Sequence, residues 1–159
     1  MNALRAEAKS ALGPLGLFSN DRHILSVAVA DYQLECELTH LDQLACAFDR
    51  LEVTCDSLQS SSLQQLTQLA EKLAARLTYL LEPIKTIEVD SQNVVVQMRS
   101  NPPQKNDDGT FYYELNVRQG GVLSLRRFHK VAGSPRATVA AEVTREVFLR
   151  LVDDFSSLA

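Results

Sequence analysis

Two runs of alternating side chains constrain this chain more than any other feature. FYYELNVR (residues 111–118) and VLSLRRFHK (122–130) flank Gln119-Gly120-Gly121. Alternation with a period of two is the mark of a strand with one buried face, and a glycine pair permits the positive φ angles that a tight reversal needs. If Gly120-Gly121 alone formed the loop, Val117 would face Ser124 and Leu115 would face Arg126. Apolar and polar side chains would then be mixed on both faces. A three-residue loop instead pairs Val117 with Leu123 and Leu115 with Leu125, and it sets Glu114 opposite Arg126 on the other face. We expect the second register.

The same reasoning applies upstream. Ile87 and Val89 precede Val94, Val96 and Met98 across Ser91-Gln92. Pairing Val89 with Val94 would also pair Ile87 with Val96. The stretch SNPPQKNDDG (100–109) carries two prolines and a run of turn formers, so it reads as a mobile loop.

Residues 61–82 carry the clearest helical pattern. Leu66, Ala70, Leu73, Leu77, Leu80 and Ile84 follow at intervals of three and four, and Leu63, Leu69 and Leu81 widen the stripe. Ser60–Ser62 offer N-caps and Pro83 a stop. A second long helix is expected over 135–157, with Ser134 as N-cap, Pro135 at the first turn, and Val143, Val147, Leu151 and Phe155 on one face. A short N-terminal helix over 2–12 would end at Gly13-Pro14, and Asn20-Asp21 reads as a turn. Residues 23–39 look extended, as one long strand or as two joined near Ala30-Asp31. Residues 44–54 make another strand candidate, with a helix over 41–48 as the competing reading. The order gives an α+β class: one domain over 1–159, with a mostly antiparallel sheet of five to seven strands covered by two long amphipathic helices, plus the short N-terminal helix.

The chain holds 159 residues with 45% hydrophobic and 23% charged. That length buries roughly two-thirds of its unfolded surface, enough for a core without staples. Cys36, Cys46 and Cys55 form no CxxC and no metal-ligand spacing, so they read as small buried residues. Arg5, Glu7 and Lys9 interrupt any signal-peptide core, and no run of 18 apolar residues is present, so the expectation is a soluble cytoplasmic protein that crosses no membrane. A net charge of −4 argues against a duplex nucleic-acid binder.

Catalytic motifs are sparse. The sequence has no GxGxxG, GxxxxGK[ST], GxSxG or HExxH. His23, His40 and His129 lack a second ligand at helical spacing. Asp107-Asp108 and Asp153-Asp154 read as turn and helix-tail chemistry. Glu35 and Glu37 share one strand face, a solvated one that is mildly suggestive of a cationic neighbour. The balance therefore leans against an enzyme without deciding it, and no cofactor or metal is expected.

Charge is segregated along the chain. Seven acids (Asp31, Glu35, Glu37, Asp42, Asp49, Glu52, Asp56) stand against Arg50 alone in residues 31–56, whereas Arg118, Arg126, Arg127, Lys130 and Arg136 meet no acid in 115–141. The simplest reading makes the two segments sheet neighbours that neutralise each other; the sharper one makes them a steering field. The preferred functional expectation is a non-enzymatic, protein-binding or chaperone-like domain, a homodimer, acting through apolar helix and sheet surfaces. In size, acidity and element order the chain is similar to secretion-chaperone-type effector binders, a likeness of architecture that covers no motif. An alternative is a small-molecule or anion pocket, with or without enzyme activity, at Tyr113, Arg127 and His129. A third is a single-strand nucleic-acid binder using the outer basic strands. The candidate contact residues are Tyr113, Arg118, Arg126, Arg127, His129 and Lys130.

Overall fold

The computed structural model describes residues 2–158. In chain order it contains α1 (Ala3–Leu15), β1 (Phe18–Val29), β2 (Tyr32–Leu41), β3 (Ala45–Cys55), α2 (Leu63–Arg76), β4 (Ile84–Asp90), β5 (Val95–Ser100), β6 (Gln104–Asn106), β7 (Gly109–Arg118), β8 (Val122–Lys130), β9 (Ala137–Val139), β10 (Ala141–Thr144) and α3 (Arg145–Phe155). The class is α+β with an antiparallel sheet. The expected count of five to seven strands under two long helices is corrected, among the described residues, to ten strands in one sheet with three α-helices. The strands run β1-β2-β3-β8-β7-β5-β4, with β10 added to β3, β6 to β7 and β9 to β8.

The hairpin β7–β8 has the expected register. Val117 faces Leu123, Leu115 faces Leu125 and Glu114 faces Arg126. Gly121 (φ 75°) is held against β3, where its carbonyl accepts from the Cys55 amide at 2.9 Å. A Cβ there would stand 2.3 Å from the Cys55 carbonyl oxygen, so no larger residue fits.

The stripe is buried, but the helix is shorter than expected: Leu66, Ala70 and Leu73 are buried on α2, Leu77 and Leu80 on the 3-10 turn after it, and Ile84 opens β4. Ser62 Oγ accepts from the Gln65 amide and Gln65 Oε1 accepts from the Ser62 amide, a reciprocal cap. A 3-10 turn, Leu77–Leu80, extends the helix, and Leu81 turns left-handed (φ 64°) with its side chain 88% exposed. The wide apolar face is thus spent on the sheet, and Leu81 is what remains outside.

Four local expectations also need correction. α1 runs through Gly13-Pro14 to Leu15, because a proline in the last turn removes only one amide and Gly16 (φ 70°) closes the helix. Asn20 (φ 55°) lies inside β1 at an irregularity between Ser19 and His23 instead of forming a turn. In β4–β5, Val89 faces Val96 and Asp90 faces Val95. Asp90 accepts from the Gln92 and Asn93 amides, and Val94 is left-handed, so the turn is longer than expected and Ile87 is bulged out and half exposed. Residues 100–109 form a hairpin: β6 pairs with β7, and Asn106 Oδ1 accepts from the Asp108 amide at 2.8 Å.

The largest correction concerns residues 135–157. Instead of one helix from Pro135, the chain makes β9 on β8, then β10 on β3, and only then α3. The cause lies in the sheet. β3 and β8 pair only between Leu51–Thr54 and Val122–Leu125, then diverge. Each leaves a row of unpaired amides and carbonyls, and β9–β10 fills both. Thr144 caps α3 by accepting from the Val147 amide at 3.0 Å.

Residues 23–39 resolve into two strands joined at Ala30 (φ 51°), and 45–55 is strand. The three helices share one face. α1 packs on β1, β2 and α3, α3 on β3 and β10, and α2 on β4, β5 and β7. All three cysteines are free and buried, and burial pushes the Cys46 thiol up to about 12. Among the described residues no helix is long and apolar enough to cross a membrane.

Candidate functional site

Strand parity divides the six candidate residues between two faces. Tyr113, Arg127 and His129 continue the helix-side face of Leu115, Leu123 and Leu125, beyond the reach of α2. Arg118, Arg126 and Lys130 point to the opposite, uncovered face. They do not form one site.

On the uncovered face the charges are largely paired. Arg50 meets Glu35 at 2.6 Å, Glu37 at 3.2 Å and Glu52 at 2.9 Å, so one arginine serves three of the segment's acids, and Arg22 reaches Asp49 from β1 at 2.7 Å. Arg118 crosses the β3–β8 seam to Glu52 at 3.5 Å. Glu114 faces Arg126 but takes its hydrogen bonds elsewhere: from Arg136 Nη1 at 2.5 Å and Arg99 Nε at 3.3 Å. Arg136 also lies 3.9 Å over the Phe128 ring, and Arg99 5.1 Å over Tyr112. The Glu114 side chain is 7% exposed. Burial pushes its carboxyl up, but the hydrogen bonds from Arg136 and Asn116 and the Arg136 charge outweigh that and hold it below the usual value. A carboxyl lowered by folding stabilises the native state above its unfolded value and loses that contribution as the pH falls. Urea unfolding between about pH 7 and about pH 3 should therefore show wild type losing stability more steeply on acidification than Glu114→Gln, the divergence beginning near the ordinary value of about 4.3. Parallel curves would refute the assignment.

On the helix side, the sheet beyond α2 floors an open groove of about 860 Å³. Phe111, Tyr113, Arg127 and Val139 form part of its lining, with Leu80–Pro83 from the end of α2 and Pro102–Gln104 from the β5–β6 corner. That corner is built locally. β5 leaves β7 after Arg99, the buried Ser100 Oγ accepts from the Tyr113 amide at 2.8 Å, and Pro102 and Pro103 offer no amide to continue the ladder.

Arg127 is the cation of the groove, and it is already matched. Its guanidinium lies 4.4 Å over the Tyr113 ring, and Nη2 donates to Gln104 Oε1 at 2.9 Å. Nη1 stands 3.0 Å from Glu82 Oε2, with both side chains close to nine-tenths covered. The pair is close without being well aligned, since Nη1 and Glu82 Oε1 have no hydrogen-bond partner. Burial pushes the Tyr113 hydroxyl up, partly offset by the Arg127 charge. Glu142 adds a carboxylate to the lining. An anionic ligand would meet a cation that Glu82 has already neutralised.

His129 does not line the groove. Its ring stacks on Phe111 (4.3 Å, 8°), and Nε2 donates to the Asp108 carbonyl at 2.7 Å, which ties down the β6–β7 turn. Of the expected trio, the structure brings Tyr113 and Arg127 together and leaves His129 behind their Phe111 neighbour. Sequence reasoning missed Glu82 and the two prolines, because both reach the site from outside the hairpin; the spare acid directly after Leu81 was the one available signal. No protein-family model matches the chain, and no curated protein or solved structure is significantly similar to it.

Proposed function

We propose that this is a protein-binding domain, chaperone-like in mode, whose groove at the end of α2 takes an extended apolar segment of another protein. The observation that carries the reading is the lining: Leu80, Leu81, Pro83, Pro102, Phe111 and Val139 around a floor whose single cation is matched by Glu82. An open trough that mixes apolar and polar side chains, whose arginine already faces Glu82, favours aliphatic and aromatic side chains over a small anion. Leu81, exposed and left-handed at the rim, is the anchor.

Selection from a random-peptide display library, followed by calorimetric titration of the enriched peptides, tests this. Peptides with two or more large apolar residues should bind, and Leu81→Asp should weaken them at least about tenfold, the loss of one buried leucine contact. Enrichment of acidic peptides that are indifferent to Leu81→Asp would defeat the proposal.

A further inference from the structure

A second concavity, of about 420 Å³, lies on the other side of the β9–β10 joint, sharing Ala140 and Glu142 with the groove. It holds an arrangement that no residue spacing in the sequence encodes. Register places Ser19 on β1 directly opposite His40 on β2. Ser19 Oγ stands 3.2 Å from His40 Nδ1, and Asp42 Oδ2 stands 2.8 Å from His40 Nε2.

With the His40 ring neutral, hydrogen-bond polarity sets where its proton sits. The hydrogen bond from His40, followed by those from the Ala45 and Leu44 amides, holds the Asp42 carboxyl at about 2. An ionised carboxylate only accepts. Nε2 of His40 therefore carries a proton toward Asp42, and in the neutral ring Nδ1 is the lone-pair nitrogen. Ser19 must donate to it. Asp42 is itself fixed: Oδ1 accepts from the Leu44 amide at 2.8 Å and the Ala45 amide at 2.7 Å, and its carbonyl accepts from Arg145 Nε at 2.6 Å. A hydroxyl donating to an imidazole that a fixed carboxylate orients is the arrangement that activates serine as a nucleophile. Ser19 and His40 line the concavity together with Asn20, Ala45, Ala47 and Ala140. The alanines leave room for a short acyl group, and an asparagine side chain is among the donors that stabilise an oxyanion.

We propose that Ser19, His40 and Asp42 form an acyl-transfer site for short-chain carboxylic esters. Ser19 Oγ bonds to the ester carbonyl carbon while its proton passes to Nδ1 of His40. The carbon–oxygen bond to the alcohol breaks, and the alcohol leaves with that proton. Water then gives a proton to His40 and adds to the acyl-serine. The carboxylic acid departs as the proton returns to Ser19 Oγ. The site does not depend on the groove having a peptide partner.

The test uses the full chain with p-nitrophenyl acetate as substrate and a fluorophosphonate probe, whose attachment site is located by mass spectrometry. Wild type should turn over the ester and carry the probe on Ser19. Ser19→Ala and His40→Gln should each lower turnover by about 10²-fold or more, the scale of a lost nucleophile or general base. Asp42→Asn should lower it too, since its amide oxygen can keep the turn while the imidazole loses its charged partner. Ser26→Ala, on the same strand, should leave the rate unchanged. Hydrolysis by Ser19→Ala at the wild-type rate would mean background attack by an exposed imidazole and would overturn the proposal. So would a wild-type chain that leaves the probe unattached or carries it elsewhere, a result that holds whatever the variants do to folding.

Discussion

An Arg127→Ala variant is expected to lose about 3 kcal/mol of stability, the lower end of the range for removing one partner of a covered ion pair. For a chain of this length that is a fall in midpoint of roughly 6–12 °C. The loss arises mainly from the partner left behind. Glu82, 13% exposed, would keep a charge with no cation to meet it, and Tyr113 would lose the guanidinium stacked on its ring. Replacing both charges, Arg127→Met with Glu82→Gln, removes the stranded carboxylate and should recover most of the stability. If the pair is structural, the double variant should also keep peptide binding in the groove. Differential scanning calorimetry on the two variants decides the point; a double variant as unstable as the single one would show that Arg127 acts through something other than Glu82.

Phe148→Ala should cost more, about 3–5 kcal/mol, because a large cavity opens in a packed interior. Phe148 is fully buried on α3 and meets Phe48 of β3 with ring centroids 6.4 Å apart. α3 also touches both other helices, so the cavity would lie where the helical layer joins the sheet. A loss in midpoint of roughly 6–20 °C is expected. Leu81→Ala, at a side chain 88% exposed, should change stability by less than about 0.5 kcal/mol. Guanidinium unfolding of the two variants checks both figures. A Phe148→Ala protein as stable as wild type would mean that α3 does not hold the layer together.

Local pattern revealed α2 and the β7–β8 hairpin, and for the same physical reason. In each, one reading buries every apolar residue and the alternatives do not. Shifting the hairpin by one residue sets Leu115 against Arg126, and rotating α2 exposes Leu66 and Leu73. Residues 135–144 offer no such contrast. Thr138, Val139, Val143 and Thr144 suit a strand, while Val143, Val147, Leu151 and Phe155 continue a helical face without a break. What decides between them is the unpaired edge of β3 at Cys46–Phe48 and of β8 at Arg127–His129, strands remote in sequence from one another.

The candidate sites divide in the same way. The stacking of Arg127 on Tyr113 follows from the hairpin register, and so was legible. Glu82 reaches Arg127 from the end of α2, and Pro102 and Pro103 from the β5–β6 corner, contacts that no spacing encodes. His129 was expected beside Arg127 on strand parity alone, yet its ring turns to Phe111 and the Asp108 carbonyl. Ser19 and His40 meet because two strands pair across the Ala30 turn, and the irregularity at Asn20 hides that register from a count of residues.

Backbone amide chemical shifts of the isotopically labelled chain, followed while a display-selected apolar peptide is added, test the central claim most directly. The groove reading predicts shifts clustered at Leu80, Leu81, Phe111, Tyr113, Val139 and Ala140, with little change on the uncovered face. Perturbation confined to Arg118, Arg126 and Lys130 would contradict it.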